Sequence, residues 1–196
     1  MGPFVKICGL RTAADVAAAA GAGADAVGFV FAASPRRIDV RTARELGELA
    51  GDMLTVGVFK GMPAAEVRAF ATAAGVRAVQ LHGDYPKDAF TEVADPAWQL
   101  IRAVSHTAPD LRVGAYGDDL LLVDAPRAGS GEAWDYHSIN GLSGQWLLAG
   151  GLTPDTVADA RKTAGAWGLD VSSGVESSRG VKDATLIARF VAAAKG

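Results

Sequence analysis

Cysteine occurs once in the 196 residues, at Cys8. No internal disulfide can form, so the fold must rest on its apolar core. No apolar run approaches the roughly 20 residues needed to span a bilayer. The start MGPFVK lacks the basic n-region and apolar h-region of a secretory signal, and Lys6 stands where a myristoylation pattern after Gly2 would need Ser or Thr. Basic excess is missing too: 19 Lys and Arg against 22 Asp and Glu leave a net charge of −3, scattered rather than in blocks. The expectation is a cytoplasmic protein with neither nucleic acid nor membrane as partner; protein partners are left open. No grouping of His, Cys, Asp and Glu has metal-ligand spacing, no GxGxxG follows the first apolar run, and no Gly-Lys-Ser/Thr closes a Walker loop. Neither a metal nor any other cofactor is expected.

What the chain does have is apolar content, 49% of its residues, enough for one compact domain over 1–196. Short aliphatic runs fall at 4–8, 26–31, 54–59, 77–81, 99–104, 119–124, 145–150 and 167–171, eight in all, each leaving room for one amphipathic helix before the next. Helical patterns fill those gaps, weakly in TAPDLRVGAYG and briefly in WDYHSI, so each strand is expected to have its own helix. Thr12 and Thr153 suit N-caps, Pro63 and Pro154 the first helical turn, and Gly75 and Gly165 left-handed C-caps. Eight strand–helix units imply an α/β fold, a minimal (β/α)8 barrel of the TIM type. An open doubly wound sheet is the alternative, and the missing dinucleotide fingerprint counts against it.

Such barrels carry their sites at the carboxyl ends of the strands. The polar residues that end apolar runs are Cys8, Gln80, His82, Asp124, Asp170, Ser172 and Ser173. Each has a plain structural alternative. A lone cysteine fills core space, a buried histidine is usually just hydrogen-bonded, and a carboxylate after LLLV can be one half of an ion pair. Arg37 in SPRR is by default a solvated loop charge. The segments AGGLTPD, with Gly150 and Gly151, and DVSSGVE, with Ser172, Ser173 and Gly174, can offer free backbone N–H groups to an anion at the usual phosphate position of this fold. The segment AGSGEAW, containing Gly131, adds a third Gly-Ser loop beside them. The reading is acid–base chemistry on a phosphorylated substrate.

The runs VKICGLRTAADV, GADAVGFVFAASPRR, VGVF, VQLHGD, LLVDA, GSGEAWDY, LAGGLTPDTV and LDVSSGVESSRGVKD, in this order, resemble the phosphoribosylanthranilate isomerases along essentially the whole length. The resemblance implies a ketose–aldose isomerase of tryptophan biosynthesis. It would convert a phosphoribosylated anthranilate into the 1-amino-1-deoxyribulose phosphate by an Amadori rearrangement, without metal or cofactor. It also implies that Cys8 is the general base, that Asp124 is the general acid, and that Arg37, the best-aligned arginine, holds the anthranilate carboxylate. Departures from the family pattern are Ala128 before Gly129, and WDY in place of FDW.

Bottom-up chemistry agrees with two such groups: opening the furanose needs a proton on the ring oxygen, and enolisation needs one removed from sugar C2. A thiol near its reference pKa of about 8.5 is mostly protonated at neutral pH. Lys6, on the same strand face as Cys8, is expected to pair with Asp170 across the barrel closure and to favour the thiolate. Three rivals remain open at this point: a histidine-pathway isomerase of the same fold, a phosphate-ligand-binding barrel without activity, and a thiol redox sensor. The first resembles a two-aspartate pattern where this chain has cysteine. The second has no need of both Cys8 and Asp124, and the third lacks a resolving cysteine.

Overall fold

A computed structural model describes residues 2–125 and 134–196. Eight parallel strands close into a barrel in sequence order. They are β1 (Phe4–Cys8), β2 (Ala26–Val30), β3 (Leu54–Phe59), β4 (Ala78–His82), β5 (Gln99–Ser105), β6 (Leu120–Asp124), β7 (Trp146–Leu148) and β8 (Gly168–Val171). Closure pairs β1 with β8, Lys6 opposite Asp170 and Val5 opposite Leu169, so neither strand is left as an edge.

The period of two along each strand divides the core. Odd-numbered side chains of β1 and β2, such as Val5, Ile7, Val27 and Phe29, lie against the helices. Interior positions are filled by Ala26, Val56, Ala78, Ile101, Leu120, Leu122 and Leu147 among others. Glycine enters the inner face at Gly28 and Gly168, which narrows the wall beside β1.

The helices are α1 (Ala13–Ala22), α2 (Val40–Glu48), α3 (Ala64–Ala74), α4 (Lys87–Val93), α5 (Val157–Ala164) and, after a hairpin of β9 (Glu176–Ser178) and β10 (Val181–Lys182), α6 (Ala184–Lys195). Thr12 caps α1 in a full capping box with Asp15. Gly75 and Gly165 close α3 and α5 in the left-handed conformation, at φ 66° and 67°. Thr153 is not an N-cap: its carbonyl accepts from Thr156 and Val157, and Thr156 takes the cap position.

The expectation of one helix per strand fails after β5, and after β6 the described residues hold only a 3-10 turn over Tyr136–Ile139. Physical reasons are visible after β5. Pro109 and the positive φ of Gly114 and Gly117 interrupt any helix there. Moreover β5 turns Arg102, rather than an apolar side chain, outward. Its guanidinium meets Asp118 at 3.1 Å and captures the carbonyls of Asp110 and Arg112 at 2.8 and 2.7 Å. Tyr116 covers it at 4.7 Å, a cation–π contact. One buried arginine thus organises a coil where an apolar helix face would otherwise pack.

Removing one partner of such a buried pair strands the other charge, at a cost of about 3–5 kcal/mol. Asp118→Ala is therefore expected to lower stability in urea by about that amount while leaving the far-UV circular dichroism of the folded protein intact, since the pair lies outside the barrel; a change below about 1 kcal/mol would contradict the organising role.

Candidate active site

β1 ends in Cys8, whose side chain faces the barrel interior. The opposing residue on β2 is Gly28, and a Cβ there would lie 2.9 Å from Cys8 Sγ. The thiol occupies space that only glycine leaves vacant. One turn of the pleat below, Lys6 is fully buried and donates to Asp170 at 2.7 Å. Burial pushes the Lys6 ammonium down, but the charge and hydrogen bond of Asp170 and the neighbouring thiol together raise it above the ordinary lysine range, so it remains charged.

Burial pushes the Cys8 thiol up, and the charges of Lys6 and Lys182 pull against this without reversing it. Lys6 acts in the expected direction, yet desolvation wins, and the free thiol is a weaker acid than an exposed one.

Asp124 ends β6, buried, with Oδ1 accepting from the Ala125 N–H at 2.7 Å. Burial raises its carboxyl, which the Ala125 hydrogen bond partly offsets and the charge of Asp170 reinforces, to about 6. His82 ends β4, with Nε2 3.9 Å from Asp124 Oδ2, beyond hydrogen-bond reach. Burial, aided by the charge of Lys60, lowers the imidazole to about 4, so His82 is neutral at pH 7. Two residues down the same face, the Oε1 of buried Gln80 finds no donor among the described residues.

The turns after β7 and β8 meet beside Asp124. A cavity of about 50 Å³ is lined there by Asp124, Gly150, Gly151, Asp170, Ser173 and Gly174. The backbone N–H groups of Gly150, Gly151, Ser173 and Gly174 have no acceptor among the described residues. Glycine is required by geometry: a Cβ on Gly150 would lie 2.8 Å from Asp124 Oδ1, and one on Gly174 would overlap the Leu152 carbonyl. Trp134 Nε1 donates to the Ala149 carbonyl at 3.0 Å and Tyr136 Oη to that of Gly150 at 2.8 Å, which ties the WDY segment to the first of these turns. Asp124 also lines a larger cavity of about 410 Å³, rimmed by Lys60, His82, Tyr85 and Ser105.

The two neighbouring arginines are placed on different sides of their turn. Arg37 is exposed and lines an outer groove with Ile38, Asp39, Val40, Arg41 and Phe70. Its neighbour Arg36 turns inward: a Cβ on Gly9, the residue after Cys8, would lie 2.7 Å from its Cδ. Glu176 grips Arg36 through Nε at 2.6 Å and Nη2 at 3.0 Å. Within a tight turn neither residue carries a periodicity signal, so sequence could not say which arginine faces in. Gly131 lies outside the described residues. Sequence reading also missed Gly28, Lys60, Glu176 and Lys182; of these, Gly28 was signalled by a glycine interrupting AVGFVF.

Fold and site together define a (β/α)8 barrel with a thiol and a carboxyl at its mouth, beside amide-rich glycine turns. Among the described residues no group of His, Cys, Asp and Glu could hold a metal ion. The chain belongs to the N-(5'phosphoribosyl)anthranilate (PRA) isomerase family, whose model matches residues 5–193. It is 40% identical to the N-(5'-phosphoribosyl)anthranilate isomerase of Rubrobacter xylanophilus, over 97% of this chain and 98% of that one. The crystal structure of TrpF from Jonesia denitrificans superposes with a TM-score of 0.90 at 46% identity, covering 99% of this chain and 97% of that chain. A solved phosphoribosyl anthranilate isomerase in complex with reduced 1-(o-carboxyphenylamino)-1-deoxyribulose 5-phosphate superposes with 0.84 at 32% identity, covering 99% of both chains.

Gly28→Ala is expected to displace the thiol, lowering turnover and costing about 1–3 kcal/mol of stability through overpacking. Gly21→Ala, in α1 with open space around it, is expected to be neutral or to stabilise by up to about 1 kcal/mol. Equal effects of the two, read from urea unfolding and initial rates, would contradict the close fit at Cys8.

Proposed function

We propose that this barrel converts N-(5-phosphoribosyl)anthranilate into 1-(2-carboxyphenylamino)-1-deoxyribulose 5-phosphate, the Amadori step of tryptophan biosynthesis. Residues 1–196 act as one domain, in the cytoplasm. Among the described residues no helix is long and apolar enough to cross a membrane. The observation that carries the reading is the pairing, in one mouth, of a thiol on β1 and a protonatable carboxyl on β6, with the glycine turns of β7 and β8 between them. A barrel that only bound phosphate would need the turns and neither reactive group.

In this reading the substrate phosphate takes the smaller cavity, where the N–H groups of Gly150, Gly151, Ser173 and Gly174 are available to its oxygens. Asp124, on the same cavity wall, gives its proton to the furanose ring oxygen as the C1–O bond breaks and the C1–N iminium forms. The Cys8 thiolate then removes the C2 proton. The resulting enolamine loses its O2 proton and gains one at C1, giving the ketose. Neutral His82 and Gln80 face the sugar, and neutral His82 adds no cation that would favour the ionised form of Asp124. Lys6 and Asp170 support Cys8 from below. Arg36, in place of Arg37, takes the anthranilate carboxylate: Glu176 occupies its Nε–Nη2 edge and leaves the Nη1 edge for a second carboxylate.

The two proton affinities run opposite to their roles. The base, Cys8, lies above the ordinary thiol range and the acid, Asp124, near 6, so thiolate with protonated carboxyl is a minor form of the free enzyme. Its share stays constant between the two pKa values and falls outside them. kcat/KM is therefore expected to fall as pH drops below about 6, to hold level above it, and to decline again only where the thiol titrates. A decline as pH rises through 6 would contradict the assignment. Cys8→Ala and Asp124→Asn are each expected to lower kcat by roughly 10²–10⁴ with little change in product affinity, followed by the loss of substrate fluorescence; full activity in either variant would overturn the roles.

A further inference from the structure

We infer that Glu176 is a positioning residue for this reaction: it fixes Arg36 with one guanidinium edge turned to the substrate carboxylate and ties that arginine to the turn after β8. The inference rests on the reading of Arg36 as the carboxylate anchor.

Glu176 opens the hairpin of β9 and β10, and its side chain is 4% exposed. Both carboxylate oxygens are fully engaged. Oε1 accepts from Arg36 Nε at 2.6 Å and Lys182 Nζ at 2.8 Å; Oε2 accepts from Arg36 Nη2 at 3.0 Å and the Gly180 N–H at 2.9 Å. Four donors saturate it, so it has no lone pair in reach for substrate and acts through its partners. Burial raises its carboxyl, but the hydrogen bonds from Arg36, Lys182 and Gly180 bring it down to about 2, and it is ionised throughout the working range.

An arginine on four rotatable bonds presents no defined edge by itself, whereas a two-point grip on Nε and Nη2 fixes the plane of the guanidinium. The stem is held as well. It lies across Gly9, where a Cβ would meet Cδ at 2.7 Å, and the hairpin tip packs on the arginine's own turn, a Cβ on Gly180 falling 3.0 Å from the Pro35 carbonyl. Among the described residues Nη1 has no acceptor. On the other side, Lys182 Nζ donates to the Ser172 carbonyl at 2.8 Å, and Ser172 Oγ donates to the Cys8 carbonyl at 3.1 Å. Arg36, Glu176, Lys182, Ser172 and Cys8 thus form one continuous chain of contacts along the mouth. Two cations share one anion in it, which leaves one positive charge facing a substrate that carries a carboxylate and a phosphate.

The test compares the natural substrate with the phosphoribosylated aniline that lacks the ring carboxylate, in the wild-type enzyme, Glu176→Gln, Arg36→Ala and the double variant. Glu176→Gln is expected to raise KM for the natural substrate about tenfold and for the aniline analogue less than about twofold, with no further rise when added to Arg36→Ala. If the wild-type enzyme does not distinguish the two substrates, the Arg36 reading itself fails. If it does, but Glu176→Gln raises both KM values alike or neither, the positioning role is overturned, because a purely structural residue would act on both. Should Glu176→Gln not fold, Glu176→Asp, one methylene shorter with its charge kept, is measured in the same way; a parallel effect on both substrates there overturns the inference equally.

Discussion

The buried pair of Lys6 and Asp170, 2.7 Å apart inside the barrel where β8 meets β1, is the interaction on which the rest depends. An ammonium without solvent is tolerable only with a partner at hydrogen-bond distance, and losing that partner costs about 3–5 kcal/mol. The pair therefore fixes the register of the last strand against the first. That register sets the height of Cys8 on one side and of Ser172 on the other, and Ser172 Oγ reaching the Cys8 carbonyl records the result. Closure, register and the place of the thiol are one constraint.

Above this pair the mouth is built by leaving atoms out. Gly28 makes room for the thiol, Gly150 for the Asp124 carboxyl, and Gly174 for the approach of one glycine turn to the other. The groups so packed are largely buried, and desolvation is the first cause of the raised Cys8 thiol, the raised Asp124 carboxyl and the lowered His82 imidazole. A site that raises its acid toward neutrality by burial raises its buried base as well. Lys6 and Lys182 pull the thiol part of the way back.

The eight strands were legible because burial on both faces leaves near-continuous aliphatic runs, and each run stands within one or two residues of the observed strand. Cys8, Asp124 and the turns of β7 and β8 were legible because polar residues ending such runs are few. Other features were not. TAPDLRVGAYG carries a weak helical pattern, but a buried arginine collecting backbone carbonyls has no periodic signature. The hairpin in ESSRGVK lacks alternating apolar residues, since ion pairs of Glu176 rather than a buried face hold it. The choice between Arg36 and Arg37 turns on a single residue in a tight turn, where only the fold decides which side chain crosses Gly9.

The central claim is a division of labour, with Asp124 opening the ring and Cys8 taking the C2 proton. Substrate deuterated at C2 tests it most directly, through the isotope effect on residual turnover in Cys8→Ser and Asp124→Asn. Weakening the base makes C2–H cleavage fully rate-limiting, so the effect should grow in Cys8→Ser; weakening the acid makes ring opening limiting, so it should shrink toward unity in Asp124→Asn. The opposite pattern, growth in the aspartate variant and loss in the cysteine variant, would contradict the account.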